Sequence, residues 1–309
     1  MIIWGFDVSS WQSQGSMIGN NRWDLSDLNR FPLDRMRENG CRFGIVKASM
    51  QLSKDATAAD HGRLIKSADM DLGVYHWDDP IANYPLQKRL FAEQIADLRP
   101  FVKADDVEQY WSDWKDHTKI LSENKIVDNF KYLYFDDPVV RSLIYTAKWF
   151  TDKYVPTRYA ELNLCDLWVA HYTMSRNYAQ AQFGTYNLTS WDQFLQLVNY
   201  IATEWRTFYN NSTPSRMLFP KGFGEWTVFQ IDSILKLPGC PYNIDLNVFN
   251  GTEKEYDEWA GHEVTPLPPP PPPPTNGNME ARVALLETQM DAVLRKQEDV
   301  GDLWLSGYN

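Results

Sequence analysis

The segment Asp105-Asp106-Val107-Glu108 puts three carboxylates within four residues, at the end of the apolar run Pro100-Phe101-Val102. Side chains alternate along an extended strand, so Asp106 and Glu108 point to one side and Asp105 to the other. Two carboxylates on one face repel each other, and that repulsion can keep one of them protonated near neutral pH, as a general acid requires. Cleavage of a glycosidic bond uses such a pair: one acid protonates the leaving oxygen, and a second carboxylate stabilises or attacks the oxocarbenium-like centre. A D-x-E triplet alone is common. Here it runs directly into Gln109-Tyr110-Trp111 and shares the chain with Asp7, near the end of IIWGFDVS, and Asp245, within YNIDLNVF. Glu108 is therefore the candidate acid, with Asp106, Asp7 and Asp245 completing a candidate acidic cluster.

Around them stand residues suited to a sugar groove: Tyr75, Tyr145, Trp168, Tyr172, Trp226 and Gln230. Core packing is the competing use of every ring, because aromatics dominate core burial. His76, at a strand end, is either structural or a hydrogen-bonding group for sugar or carboxylate. Asp78-Asp79-Pro80 reads as a turn close enough to the mouth to touch substrate, and Asp136-Asp137 as a solvated turn after a helix. His61, His117 and His262 show no partner and receive no role.

Eight short apolar runs must position these groups: IIWGFDVS, CRFGIVKAS, LGVYHW, PFVKADDVE, SLIYT, DLWVAHY, WTVFQI and YNIDLNVF. Helical patterns separate most of them, such as SDLNRFPLDRMREN, ATAADHGRLIKSADM, YPLQKRLFAEQIADL, SENKIVDNFKYLYF and SWDQFLQLVNYIATEWRTF. This alternation predicts the α/β class and a TIM-like (β/α) barrel, with its site at the carboxyl ends of the strands. An open doubly wound sheet is the alternative, and it lacks a glycine-rich phosphate loop after the first strand.

Composition bounds the rest. A formal net charge of −11 and the absence of a basic stripe argue against a nucleic-acid partner. Cys41, Cys165 and Cys240 are odd in number and widely spaced, so they predict neither a disulfide framework nor a metal knuckle. The opening MIIWGFDVSSWQ has no signal-peptide pattern, and no segment is apolar enough for membrane insertion. The proline run Pro268–Pro274 predicts a semi-rigid linker over residues 261–278, rising about 3.1 Å per residue, between a catalytic body of residues 1–260 and a helix within 279–309. In that last segment Val283, Leu286, Met290, Val293 and Val300 form an apolar stripe, interrupted by Gln297, which fits a short coiled coil and a homo-oligomer, with a solitary amphipathic helix docked on the barrel as the alternative.

Taken in order, these pieces resemble the glycoside hydrolase family 25 muramidases. FDVSSWQ is similar to that family's D-x-S-x-x-Q opening through Asp7, Ser9 and Gln12, and FGIVKAS to its second strand through Lys47. GVYHW is similar to its Y-H-F segment through Tyr75 and His76, and DDVEQYW to the segment bearing the acid through Asp106 and Glu108. IYT, LWVAHY and the D-x-N-x-F of IDLNVFNG follow in the family's order. The resemblance implies a flattened (β/α) barrel and hydrolysis of bacterial peptidoglycan at the β-1,4 bond after N-acetylmuramic acid, with no metal and no cofactor. It implies Glu108 as the acid, and it places Lys47, Tyr75, His76, Tyr145, Trp168, Tyr172 and Gln230 at the substrate. Ser49-Met50 and Trp77 depart from the family's usual residues, and SWDQFLQLVNYIATEWRTFYNNSTP reads as a helical insertion. A wall hydrolase joined to an oligomerising helix suits a phage lysin, held in the host cytoplasm until a holin-type release or carried on the virion. A catalytically silent carbohydrate-binding barrel is the alternative. A chitinase would need a D-x-x-D-x-D-x-E segment, which KADDVE does not supply.

Overall fold

The computed structural model describes residues 2–10, 31–134, 140–211, 219–220, 222–240 and 243–262. The proline linker from residue 263 onward, the tail helix and its stripe, Asp136-Asp137 and the start of SDLNRFPLDRMREN lie outside these residues. By its contacts the chain divides into two units, Met1–His262 and Glu263–Asn309.

All eight expected strands form, as β1 (Trp4–Val8), β2 (Cys41–Met50), β4 (Asp71–Trp77), β5 (Val102–Asp106), β6 (Arg141–Thr146), β7 (Asp166–Ala170), β8 (Val228–Asp232) and β9 (Asp245–Phe249), with a two-residue β3 (Ser53–Lys54) folded back on β2. Pairing runs β1-β9-β8-β7-β6-β5-β4-β2, and β1 also pairs with β2, which closes the barrel. Seven of the eight strands run parallel. The last, β9, is antiparallel to both β1 and β8, so the TIM-like pattern holds only in part. An antiparallel return needs no crossover helix, and residues 233–244 make the connection. Asp245 therefore starts its strand at the same end of the barrel where the other strands finish.

Strands covered on both faces carry near-continuous apolar runs, and all five residues of β1, β5 and β8 are buried. Inward positions hold Ile3, Phe43, Ile45, Val102, Ala104, Leu143 and Val228. Outward positions such as Phe6, Val46, Leu72, Ile144, Val169 and Ile231 pack with Ile65, Phe91, Phe130, Phe150, Phe194 and Ile201 from the helices. The barrel is narrow enough that a Cβ on inward-facing Gly73 would come within 2.8 Å of Val102 Cγ1.

The helices are α1 (Leu33–Glu38), α2 (Ala58–Ser67), α3 (Tyr84–Leu98), α4 (Glu123–Leu133), α5 (Lys148–Tyr154), α6 (Thr173–Phe183), α7 (Trp191–Asn211) and α8 (Glu253–Ala260). Asn83 caps α3 by accepting from Leu86 N–H at 3.1 Å, and Ser122 caps α4 through Lys125 N–H at 3.3 Å. The expected insertion is α7, between β7 and β8. Helices α5, α6 and α8 are additional to the helical patterns seen in the sequence. Yet α8 carries a capping box, in which Glu255 N–H donates to the Thr252 hydroxyl and the Glu255 carboxylate accepts from Thr252 N–H. It buries Tyr256 and Trp259 against Phe43, Phe101 and Phe249, at the end of the barrel where β9 finishes.

Candidate active site

At the opposite end each barrel strand contributes polar or aromatic side chains at inward-facing positions: Asp7 from β1, Lys47 from β2, Tyr75 from β4, Asp106 from β5, Tyr145 from β6, Trp168 from β7, Gln230 from β8, and Asp245 and Asn247 from β9. A cavity of about 220 Å³ opens there, lined by Asp7, Tyr75, Asp106, Glu108, Tyr145, Trp168, Tyr172, Gln230, Ser233 and Asp245. The four candidate carboxylates thus meet at one pocket, together with Tyr75, Tyr145, Trp168, Tyr172 and Gln230.

A hydrogen-bond chain fixes the floor. Asp7 Oδ2 accepts from Gln230 Nε2 and from Asn247 Nδ2, each at 2.8 Å. Gln230 Oε1 in turn accepts from the Tyr145 hydroxyl at 2.7 Å and from the Tyr172 hydroxyl. Trp168 Nε1 donates to Asn247 Oδ1 at 2.8 Å, and the backbones of Asp7 and Asp245 face each other across β1 and β9. Aromatic and amide groups thereby set the direction of a buried carboxylate.

Burial is the largest influence on ionisation. It pushes Glu108 up to about 7, helped by the charge of Asp7 and opposed by Lys47. Asp106 lies well above the usual carboxylate range, first through burial and then through the charges of Glu108 and Asp78. Its Oδ1 is buried with no hydrogen-bond partner among the described residues. Asp7 is raised by burial to about 6, against the hydrogen bonds from Asn247 and Gln230. Like-charge repulsion, the cause expected from the sequence, acts but ranks below desolvation. Such a site holds a protonated carboxyl near neutral pH beside groups able to carry negative charge.

Three expected groove residues sit elsewhere. Lys47 is buried but does not line the cavity, and its Nζ is 3.9 Å from Asp55 Oδ2. From outside the lining its charge acts on Asp55, Asp106, Asp7 and Glu108. His76 alternates with Tyr75 and faces the outer layer, where it is fully buried and stacks on Phe91 at 5.3 Å. Its Nδ1 lies 2.8 Å from Ser49 Oγ and its Nε2 3.1 Å from Gln87 Oε1, and burial lowers it to about 4, so it is neutral at pH 7. Trp226 is likewise buried in the outer core beside Phe229. Asp79 is a turn residue accepting from Ile81 N–H at 2.9 Å and Gln109 Nε2 at 3.0 Å, and neither it nor Asp78 lines the cavity. His262, given no partner from sequence, lies 2.8 Å from Asp71 Oδ1.

Sequence reasoning missed Asn247 and Ser233. Asn247 was detectable, because D-x-N repeats the alternation that paired Asp106 with Glu108. Ser233 lies in the β8–β9 connection and carries no comparable signal. Among the described residues no group of three or more His, Cys, Asp or Glu side chains is arranged to hold a metal ion.

Solved structures with the same fold include a muramidase from Acremonium alcalophilum, 18% identical, covering 84% of this chain and 100% of its own, with a TM-score of 0.53. A lysozyme from Streptomyces coelicolor is 18% identical, with 85% and 98% covered and a TM-score of 0.56. The catalytic domain of endolysin ply40, from bacteriophage P40 of Listeria monocytogenes, is 13% identical, with 84% and 98% covered and a TM-score of 0.52. A search of curated proteins gave no match. The model of glycosyl hydrolases family 25 matches residues 6–198, a span that holds Asp7, Asp106 and Glu108 but ends before β8 and β9. With that match across more than half of its length, the chain belongs to glycosyl hydrolases family 25 and is a glycoside hydrolase.

Proposed function

We propose that this enzyme is a peptidoglycan muramidase that cleaves the β-1,4 bond between N-acetylmuramic acid and N-acetylglucosamine, with Glu108 as the general acid. The observation that carries this reading is the Glu108 carboxyl, held by burial near a pKa of about 7 at a mouth shared with Asp7, Asp106 and Asp245. An acid poised near the working pH is both protonated often enough and strong enough to donate to a leaving oxygen. Asp106 orients a water molecule or the substrate's acetamido group. Asp7 and Asp245 stabilise positive charge at the reacting carbon. Tyr75, Tyr145, Trp168, Tyr172 and Gln230 position the sugar. Asp7 is itself oriented by Gln230 and Asn247, which suits a charge that must stay fixed as the bond breaks.

The test is digestion of purified peptidoglycan, followed by mass spectrometry of the new reducing ends. Reducing N-acetylmuramic acid is the expected product. Reducing N-acetylglucosamine would reassign the bond, and intact glycan would favour a silent carbohydrate-binding barrel.

The wall-lytic role is that of a phage lysin, reaching its substrate through a separate holin or on the virion. Among the described residues no helix is long and apolar enough to cross a membrane. Residues 261–278 act as a spacer and 279–309 as a self-associating helix. Light scattering of the full chain should give a larger particle than residues 1–264, and equal monomeric masses at tens of micromolar would remove the oligomer.

A further inference from the structure

Outside the pocket, on the β4–β5 side of the mouth, three indoles form a group to which the chemistry above gives no role. Trp77 ends β4 in register with Asp106 of β5, and Trp111 and Trp114 follow Glu108 closely in the chain. The Trp77–Trp114 ring centroids are 5.1 Å apart at 84°, and those of Trp111 and Trp114 are 5.4 Å apart at 80°. Trp111 also stacks on His117 at 4.4 Å. Trp114 nonetheless remains 42% exposed. Folding alone favours burying so large a ring, and this one is exposed while held edge to face against two further indoles beside the pocket, a contiguous aromatic surface suited to contact.

The frame that holds it is well bonded. Ser112 N–H donates to Lys119 O at 2.7 Å and Leu121 N–H to Tyr110 O at 2.8 Å, making residues 110–121 a short projecting arm. Gln109 Nε2 ties the base of the arm to Asp79 Oδ1 at 3.0 Å and to Trp111 O at 3.2 Å. Polar side chains of the same arm, including Ser112 and His117, are exposed around the rings.

We propose that Trp77, Trp111 and Trp114 form a stacking subsite for a further N-acetylhexosamine ring of the glycan strand whose scissile bond lies at Glu108. The proposal rests on the muramidase reading and deepens it. The pocket, at about 220 Å³, is smaller than the roughly 300–1,000 Å³ usual for ligand sites, so a polymeric substrate must extend beyond it. A pyranose ring offers an apolar C–H face and a polar edge, which matches an indole face set among hydrogen-bonding side chains. The continuity of Trp77 with Asp106 and of Trp111 with Glu108 puts the platform on the path by which a strand leaves the pocket.

The experiment compares the full chain carrying Trp114→Ala, Trp114→Leu or Trp114→Phe with the unaltered enzyme, on peptide-free glycan strands and on a tetrasaccharide of the same repeat. Trp114→Ala and Trp114→Leu should raise KM on strands by about three- to tenfold, the scale of one aromatic contact, with a smaller change in kcat. The tetrasaccharide should lose less, and Trp114→Phe should recover most of the strand affinity. If Trp114→Ala lowers the melting temperature, Trp114→Leu, which keeps apolar bulk without a ring, decides. Equal losses on both substrates, or none, would overturn the subsite. Calorimetric titration of strands into Glu108→Gln, with and without Trp114→Ala, separates the two readings. If strand binding weakens with Trp114→Ala while the unaltered enzyme, with Glu108 in place, cuts no glycan, the muramidase is refuted and the platform retained.

Discussion

The two ends of the barrel are built from the same strands and differ in what the last inward positions carry. At the α8 end Phe43, Phe101, Phe249, Tyr256 and Trp259 close the barrel with aromatic contacts, Phe101 and Trp259 meeting edge to face at 4.9 Å. At the mouth the corresponding positions hold carboxylates, phenols and amides, several raised in pKa by burial. Apolar burial at one end stabilises the fold, while desolvated charge at the other opposes it. Stability and chemistry are therefore carried by opposite ends of one sheet, and substitutions at each end should separate them.

The largest expected effect is that of Glu108→Gln on activity. Glutamine keeps the shape but cannot deliver a proton, so the rate on cell walls should fall by about 10² to 10⁴, with the melting temperature held or slightly raised. Clearing at near wild-type rate by the folded variant would remove Glu108 from the role of acid. At the other end Trp259→Ala should cost about 3–5 kcal/mol of stability in denaturant unfolding, while the folded fraction keeps its kcat. A comparable loss of kcat at a temperature where the variant remains folded would show that the two ends are coupled.

Smaller losses are expected from the partners of the acid. Asp7→Asn retains an oxygen able to accept from Gln230 and Asn247 but loses the charge, so the rate should drop by about ten- to a hundredfold with the fold intact. Asp245→Asn should behave similarly, and full activity in both variants would break the acidic cluster as drawn.

The smallest effect is on stability against pH. Glu108, at about 7, titrates above the ~4.3 of an unfolded glutamate, so between these values the native state binds more protons than the unfolded one. Stability then falls as pH rises through this window, and the whole penalty is present above it. The advantage of Glu108→Gln in melting temperature should be absent near pH 4 and present near pH 8, and a pH-independent difference would contradict the raised pKa. In the unaltered enzyme kcat/KM should decline above about pH 7, as the acid loses its proton.

Much of this division was legible in the chain. The eight apolar runs became the eight barrel strands because a barrel strand covered on both faces must be apolar almost throughout. The D-x-E alternation put Asp106 and Glu108 on one side, and they line one cavity. Helices α5 and α6 were not legible: α5 spans seven residues, neither has a side-chain cap, and their placement depends on the strands beside them. The same limit explains His76. Its position next to Tyr75 near a strand end was readable, but the face it takes depends on which alternate residues the barrel turns inward.

The sequence by itself determined the alternation of strand and helix, the family likeness and the residue types gathered at the mouth, because periodicity and local motif are properties of neighbours along the chain. Only the tertiary structure decided that β9 runs against its neighbours, which brings Asp245 at the start of its strand to Asp7 near the end of another. It also decided that Lys47 sits outside the cavity lining beside Asp55 and that burial, more than repulsion, raises Glu108. Strand direction and desolvation depend on what surrounds a residue in space, and residues distant in the chain supply those surroundings.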